Sequence, residues 1–106
     1  MKNIVILISG RGSNMQAIVD AAIPNARIAA VLSNRADAAG LAWAAARGVA
    51  TDSLEHKTFG SRLEFDQAMM QKIDAYQPDL VVLAGFMRIL TPEFCTHYSG
   101  RLINIH

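Results

Sequence analysis

One cysteine, three prolines and a near-balance of charge are what this chain of 106 residues has least to work with. With Cys95 alone, no intrachain disulfide can form, which fits a reducing cytoplasm. Lysine and arginine number 10 against 9 aspartate and glutamate, a net charge of +1. That balance argues against a nucleic-acid backbone or an anionic membrane as a bulk electrostatic partner. No apolar stretch approaches the roughly 20 residues of a membrane helix. The opening run Met1 to Ser9 is too short for a signal peptide, and Gly10-Arg11-Gly12-Ser13-Asn14 follows it as a structured turn rather than a cleavage site. Repeats, low-complexity tracts and linkers are also lacking.

What is present is enough for one domain. The apolar fraction of 52% suffices for a core and is far from a disordered composition. Continuous apolar runs alternate with helix-spaced segments. Strands are expected at Asn3–Ile8, Arg27–Leu32, Val49–Thr51, Leu80–Ala84 and Arg101–Ile105. Helices are expected over Ser13–Ala22, over Asp37–Arg47 with Gly48 just past its end, over Ser61–Tyr76, and as a short piece capped by Thr91-Pro92 and closed by Gly100. Asp52–Gly60 is the longest irregular stretch. The alternation implies βαβ units: an α/β, Rossmann-like, mostly parallel sheet with helices on both faces.

Three places could carry chemistry. In the first turn, Gly10 and Gly12 permit positive φ and a close backbone approach, and Ser13 and Asn14 start a helix whose free N–H groups suit an anion such as phosphate. The pattern is neither a dinucleotide fingerprint nor a Walker loop. The alternative is a tight turn with Ser13 as an ordinary N-cap. In the fourth turn, Gly85-Phe86-Met87-Arg88-Ile89-Leu90 is apolar around one arginine. It could line a ligand cleft and read a flat heterocycle through its backbone, or Met87, Ile89 and Leu90 could pack under the next helix.

At the last strand, Asn104 and His106 stand two apart and so leave one face. An amide beside an imidazole can bind an oxyanion and move a proton. No further ligands gather there for a metal. Cys95 is expected to be a buried packing residue, and His56 and His97 to be solvated. The chain stops on this pair, as though cut in the middle of an active site.

Together, Ile8–Asn14, Asp79–Leu90 and Gly100–His106 resemble the N-terminal half of the glycinamide ribonucleotide transformylase family, the phosphoribosylglycinamide formyltransferases of purine biosynthesis. Related formyl-handling enzymes share the Asn-x-His. The first stretch favours the nucleotide-using member over methionyl-tRNA formyltransferase and formyltetrahydrofolate hydrolase. The resemblance implies that Gly12, Ser13 and Asn14 hold the phosphate of glycinamide ribonucleotide. It implies that Arg62 lies near the folate and that Met87, Arg88, Ile89 and Leu90 clasp the pterin, with Asn104 beside it. Asn104 and His106 would be catalytic, the co-substrate 10-formyltetrahydrofolate, and the location cytoplasmic, with no metal.

The family pattern continues past His106 with a Pro-Ser-Leu-Leu-Pro-like segment and a later aspartate. Residues 1–106 are therefore expected to be the nucleotide-binding part of a formyltransferase domain cut after its fifth strand. Such a piece would be inactive alone and prone to self-association or to pairing with the missing C-terminal half.

Overall fold

The computed structural model describes residues 1–105; the expected catalytic His106 lies outside the described residues. Five strands, β1 (Lys2–Ile8), β2 (Ala26–Ser33), β3 (Ala50–Ser53), β4 (Leu80–Ala84) and β5 (Leu102–Ile105), form one parallel sheet in the order β3-β2-β1-β4-β5. Four helices connect them: α1 (Ser13–Ala21), α2 (Ala39–Ala45), α3 (Arg62–Asp74) and α4 (Pro92–His97).

The central strand explains the continuous apolar runs. Val5, Ile6, Leu7 and Ile8 are fully buried, with alternate residues feeding opposite cores. Val5 and Leu7 pack with Phe65, Met69 and Ile73 of α3 and with Phe94 and Tyr98 at α4. Ile4, Ile6 and Ile8 pack with Met15 of α1 and Ala44 of α2. The sheet is thus covered on both faces, as the alternation predicts.

The caps of α3 and α4 follow their sequence signals. Ser61 accepts a hydrogen bond from the Glu64 N–H at 3.1 Å, and the Glu64 carboxylate accepts one from the Gly60 N–H at 3.0 Å. Thr91 accepts from the Phe94 N–H at 3.3 Å, with Pro92 in the first turn.

Several details at the element ends differ from expectation. α2 starts at Ala39, because Asp37 is drawn into an ion pair with Arg35 at 3.2 Å and the backbone turns before the helix. α1 is capped by Gly12 and not by Ser13. The stretch after Thr51 is more regular than expected: β3 continues through Asp52 and Ser53, which pair with Leu32 and Ser33, and a 3-10 turn covers His56–Thr58.

The strand order reverses direction between β1 and β4. In a parallel sheet this is the switch point, where the connections leaving the two strands diverge and open a crevice beyond their carboxyl ends.

Candidate active site

Beyond β1 the chain runs Ser9 to Asn14. Gly12 sits at φ 68° and ψ 48°, in the left-handed region, and a Cβ there would also come within 3.1 Å of Met15 Cε and 3.2 Å of Ile8 Cγ2. Its carbonyl accepts the first helical hydrogen bond, from the Gln16 N–H at 2.9 Å. The N–H groups of Ser13, Asn14 and Met15 therefore precede any intrahelical partner, at the positive end of α1. The Gln16 side chain braces the turn by donating to the Arg11 carbonyl at 3.2 Å. The N-cap is thus Gly12 and not Ser13, and no side chain caps the helix there, so the turn is a tight strand-to-helix turn whose first N–H groups lack an intrahelical partner.

Beyond β4, Gly85 at φ 74° turns the chain away from the sheet. Met87 and Ile89 are then 81% and 69% exposed, so two of the three apolar residues do not pack under the next helix. Phe86 and Leu90 do rest on the core. The Arg88 guanidinium lies over the Phe65 ring at 4.3 Å, and its Nε is buried without a partner. The segment ends on Thr91, whose N–H and hydroxyl both donate to the buried Asp66 carboxylate at 2.8 Å.

The two turns meet. A hollow of about 310 Å³ is lined by Gly10, Arg11, Gly12, Ser13, Asn14, Ala84, Gly85 and Met87. It opens at the β1–β4 switch point. Larger hollows of about 430 Å³, along α3 and Asp52, and about 600 Å³, around Arg35, Glu55 and His56, lie elsewhere. Neither includes the glycine turn or its helix terminus, which makes the smaller one the candidate site.

The other expected site residues among the described ones are not part of that lining. Asn104 is exposed on β5 opposite Leu83, next to the strand end from which Gly85 departs. Arg62 is the exposed first residue of α3, and Arg88, Ile89 and Leu90 continue away from the hollow. Among the described residues no three His, Cys, Asp or Glu side chains gather into a metal-binding group, and no helix is long and apolar enough to cross a membrane.

Cys95 corrects an expectation: it is exposed, because Phe94 and Tyr98 take the buried face of α4. His97 pairs with Asp74 at 2.7 Å, and the same carboxylate accepts from the Tyr98 hydroxyl at 2.9 Å. Burial, then that hydrogen bond and the carboxylate charge, push the Tyr98 phenol far above its ordinary value. His56, expected to be solvated, is partly buried with its Nδ1 unpartnered.

Sequence reasoning overlooked Ser9 and Asn34, which are both buried at the rim. The available signal was a polar residue directly after each of two apolar strands.

A family model described as formyl transferase matches residues 2–106. The chain belongs to the formyl transferase family. Among curated formyl transferases it is 55% identical to the phosphoribosylglycinamide formyltransferase of Escherichia coli, a match covering 98% of this chain and 50% of that one. It is 43% identical to the human trifunctional purine biosynthetic protein adenosine-3, over 97% of this chain and 10% of that one. Among solved structures, the phosphoribosylglycinamide formyltransferase of Coxiella burnetii superposes with a TM-score of 0.94 at 50% identity, over 99% of this chain and 51% of that one. The glycinamide ribonucleotide transformylase 1 of Symbiobacterium toebii gives 0.93 at 43% identity, over 100% and 51%. The chain thus spans about half the length of the single-function formyl transferases it matches.

Proposed function

We propose that these residues form the nucleotide-side half of an enzyme that moves the formyl group of 10-formyltetrahydrofolate onto the amine of 5′-phosphoribosylglycinamide, a cytoplasmic step of purine synthesis. The observation that carries this reading is the hollow at the switch point, which the Gly10–Asn14 turn lines together with Gly85 and Met87 of the fourth turn. The names of the relatives supply the formyl group and the phosphoribosylglycinamide acceptor; the folate donor comes from the family resemblance.

The ribonucleotide phosphate is held by Gly12, Ser13 and Asn14, through N–H groups that α1 leaves open. The pterin is assigned to Met87, Arg88, Ile89 and Leu90, whose backbone groups, apart from the Met87 N–H held by Ser9, would pair with a heterocycle edge. Arg62, a cation at a helix start where it gains nothing from the dipole, is assigned to the folate side. The substrate amine attacks the formyl carbon. The carbonyl electron pair moves onto oxygen, and Asn104 donates a hydrogen bond to that oxyanion. As the intermediate collapses, the C–N10 bond breaks; the imidazolium of His106 gives N10 its proton, and the proton lost by the attacking amine passes to the neutral imidazole and restores it. A donor aimed at an oxyanion is typically worth about 10²–10³ in kcat, and alignment of the two substrates supplies much of the rest.

The remaining half of the relatives' length belongs to this catalyst. β5 is an edge of the described sheet, with Ile103 45% exposed on it, and that half is its proposed occupant. The 106 residues alone should bind phosphate weakly and turn nothing over, and adding the other half should restore transfer.

The test is formyl transfer by a full-length enzyme carrying these residues. Turnover with glycinamide ribonucleotide is expected. Asn104→Ala and His106→Ala should each abolish it while sparing ribonucleotide binding. Turnover only with another amine acceptor would reassign the substrate, and ribonucleotide binding with no folate binding would reduce the chain to a phosphate-binding module.

A further inference from the structure

Two buried polar side chains at the sheet rim take no part in the mechanism above. Ser9 follows β1 and is 7% exposed; Asn34 follows β2 and is 5% exposed. The Ser9 hydroxyl donates to Asn34 Oδ1 at 2.7 Å and accepts from the Met87 N–H at 2.7 Å. A hydroxyl has one proton, so committing it to Asn34 leaves the oxygen lone pairs for Met87. Asn34 therefore sets the role that Ser9 plays toward the fourth turn.

The segment after β4 has few other holds. Gly85 starts it with nothing within 4 Å of a Cβ position, and the Met87 side chain is 81% exposed. Among the described contacts, its polar anchors are the Met87 N–H on Ser9, the Arg88 guanidinium on Phe65 and the Thr91 N–H on Asp66. The first of these is the one that reaches across the switch point, and Ser9 is covalently joined to Gly10 of the anion turn.

We infer that Ser9, oriented by Asn34, is a positioning residue that fixes the Met87–Leu90 segment at a set distance from the Gly10–Asn14 turn. A buried serine–asparagine pair adds little net stability over an apolar pair of the same shape, because its gain is offset by desolvation. What it adds is geometry. The identity of the two ligands so aligned rests on the formyl-transfer reading; the positioning itself does not.

The experiment compares wild type with Ser9→Ala and Asn34→Ala in a full-length enzyme carrying these residues. Loss of one part-buried hydrogen bond corresponds to about tenfold. Ser9→Ala should raise the KM for 10-formyltetrahydrofolate by about that factor, with the ribonucleotide KM moving less than about threefold. Asn34→Ala should act in the same direction and add nothing in the Ser9→Ala background. Equal changes in both KM values, or none, would overturn the inference while leaving the proposed function standing.

Amide hydrogen exchange at Met87 decides the positioning without any turnover. About tenfold faster exchange in Ser9→Ala than in wild type upholds it, provided that the Val82 amide in the sheet is unchanged. Equal Met87 rates in the two proteins overturn it, even if formyl transfer itself fails to appear.

Discussion

The Gly40 backbone N–H donates to the Gly10 carbonyl at 3.1 Å, and a Cβ on Gly40 would stand 2.5 Å from Ile8 Cδ1 and 2.7 Å from the Arg11 carbonyl oxygen. The start of α2 is therefore pressed directly against the Gly10–Arg11 turn. The Ile8 methyl could swing away, but the Arg11 carbonyl is backbone and can yield only if the turn moves.

Gly40→Ala should accordingly disturb the turn that the proposal assigns to phosphate. Overpacking of this kind typically costs about 1–3 kcal/mol, which a urea midpoint would register. Affinity for a phosphomonoester should fall by about tenfold, the effect of one misaligned donor. Unchanged affinity in a destabilised variant would show that α2 supports the fold and not the turn.

Asp66 is 1% exposed and receives both the N–H and the hydroxyl of Thr91. Asp66→Ala strips the part-buried Thr91 N–H of its partner and frees the cap of α4. A loss of about 2–3 kcal/mol is expected, and a smaller one for Asp66→Asn, whose amide oxygen can still accept. Chemical unfolding of the three proteins compares them directly.

Ala22 ends α1 at φ 48°, in the left-handed region, where its N–H donates to the Val19 carbonyl at 3.3 Å. The position is exposed, so no packing is lost on removing the methyl. Ala22→Gly should raise stability by about 0.5–1 kcal/mol, relief of left-handed strain exceeding the entropy lost by glycine. A lower melting temperature in the variant would contradict this.

Asp52 gives the pH dependence. Burial raises its pKa. The hydrogen bonds from the Lys72 ammonium at 2.8 Å and from the Ser53 N–H at 2.7 Å, with the Lys72 charge, outweigh burial and hold it below the ordinary 3.8. The folded carboxyl thus binds a proton less readily than the unfolded one. Its contribution is full above the unfolded value and is lost as pH falls through the folded value. The pair is partly solvated, at 34% and 39% side-chain exposure, so the contribution is small, about 0.2–1 kcal/mol. Asp52→Asn should lower stability at neutral pH and flatten its decline in acid. A parallel offset at all pH values would assign the loss to packing.

Much of this was legible from local pattern. Val5 to Ile8 and Val81 to Ala84 read as doubly buried strands because parallel strands show no polar alternation, and Thr91-Pro92 marked a helix start by its chemistry. What stayed hidden depends on distant partners. Ser13 looks like a cap in sequence, yet Gly12 takes that place, since only glycine is free of strain at its φ. Cys95 looks apolar enough to bury, but Phe94 and Tyr98 are larger and claim the inner face. Ser9 meets Asn34 and Met87 only once three strands align, so no spacing rule could have joined them. Gly40 reads as a helix-weakening residue until the neighbouring turn is placed against it. Asn104 is exposed on an edge strand, and its proposed role rests on the resemblance and not on local pattern.

The most direct test follows backbone amide resonances in a full-length enzyme carrying these residues during titration with glycinamide ribonucleotide and then with a 10-formyltetrahydrofolate analogue. The account predicts that the ribonucleotide moves Gly12, Ser13 and Asn14 first, and that the folate analogue moves Met87 through Leu90. Shifts centred instead on Arg35, Glu55 and His56, with the glycine turn silent, would contradict it.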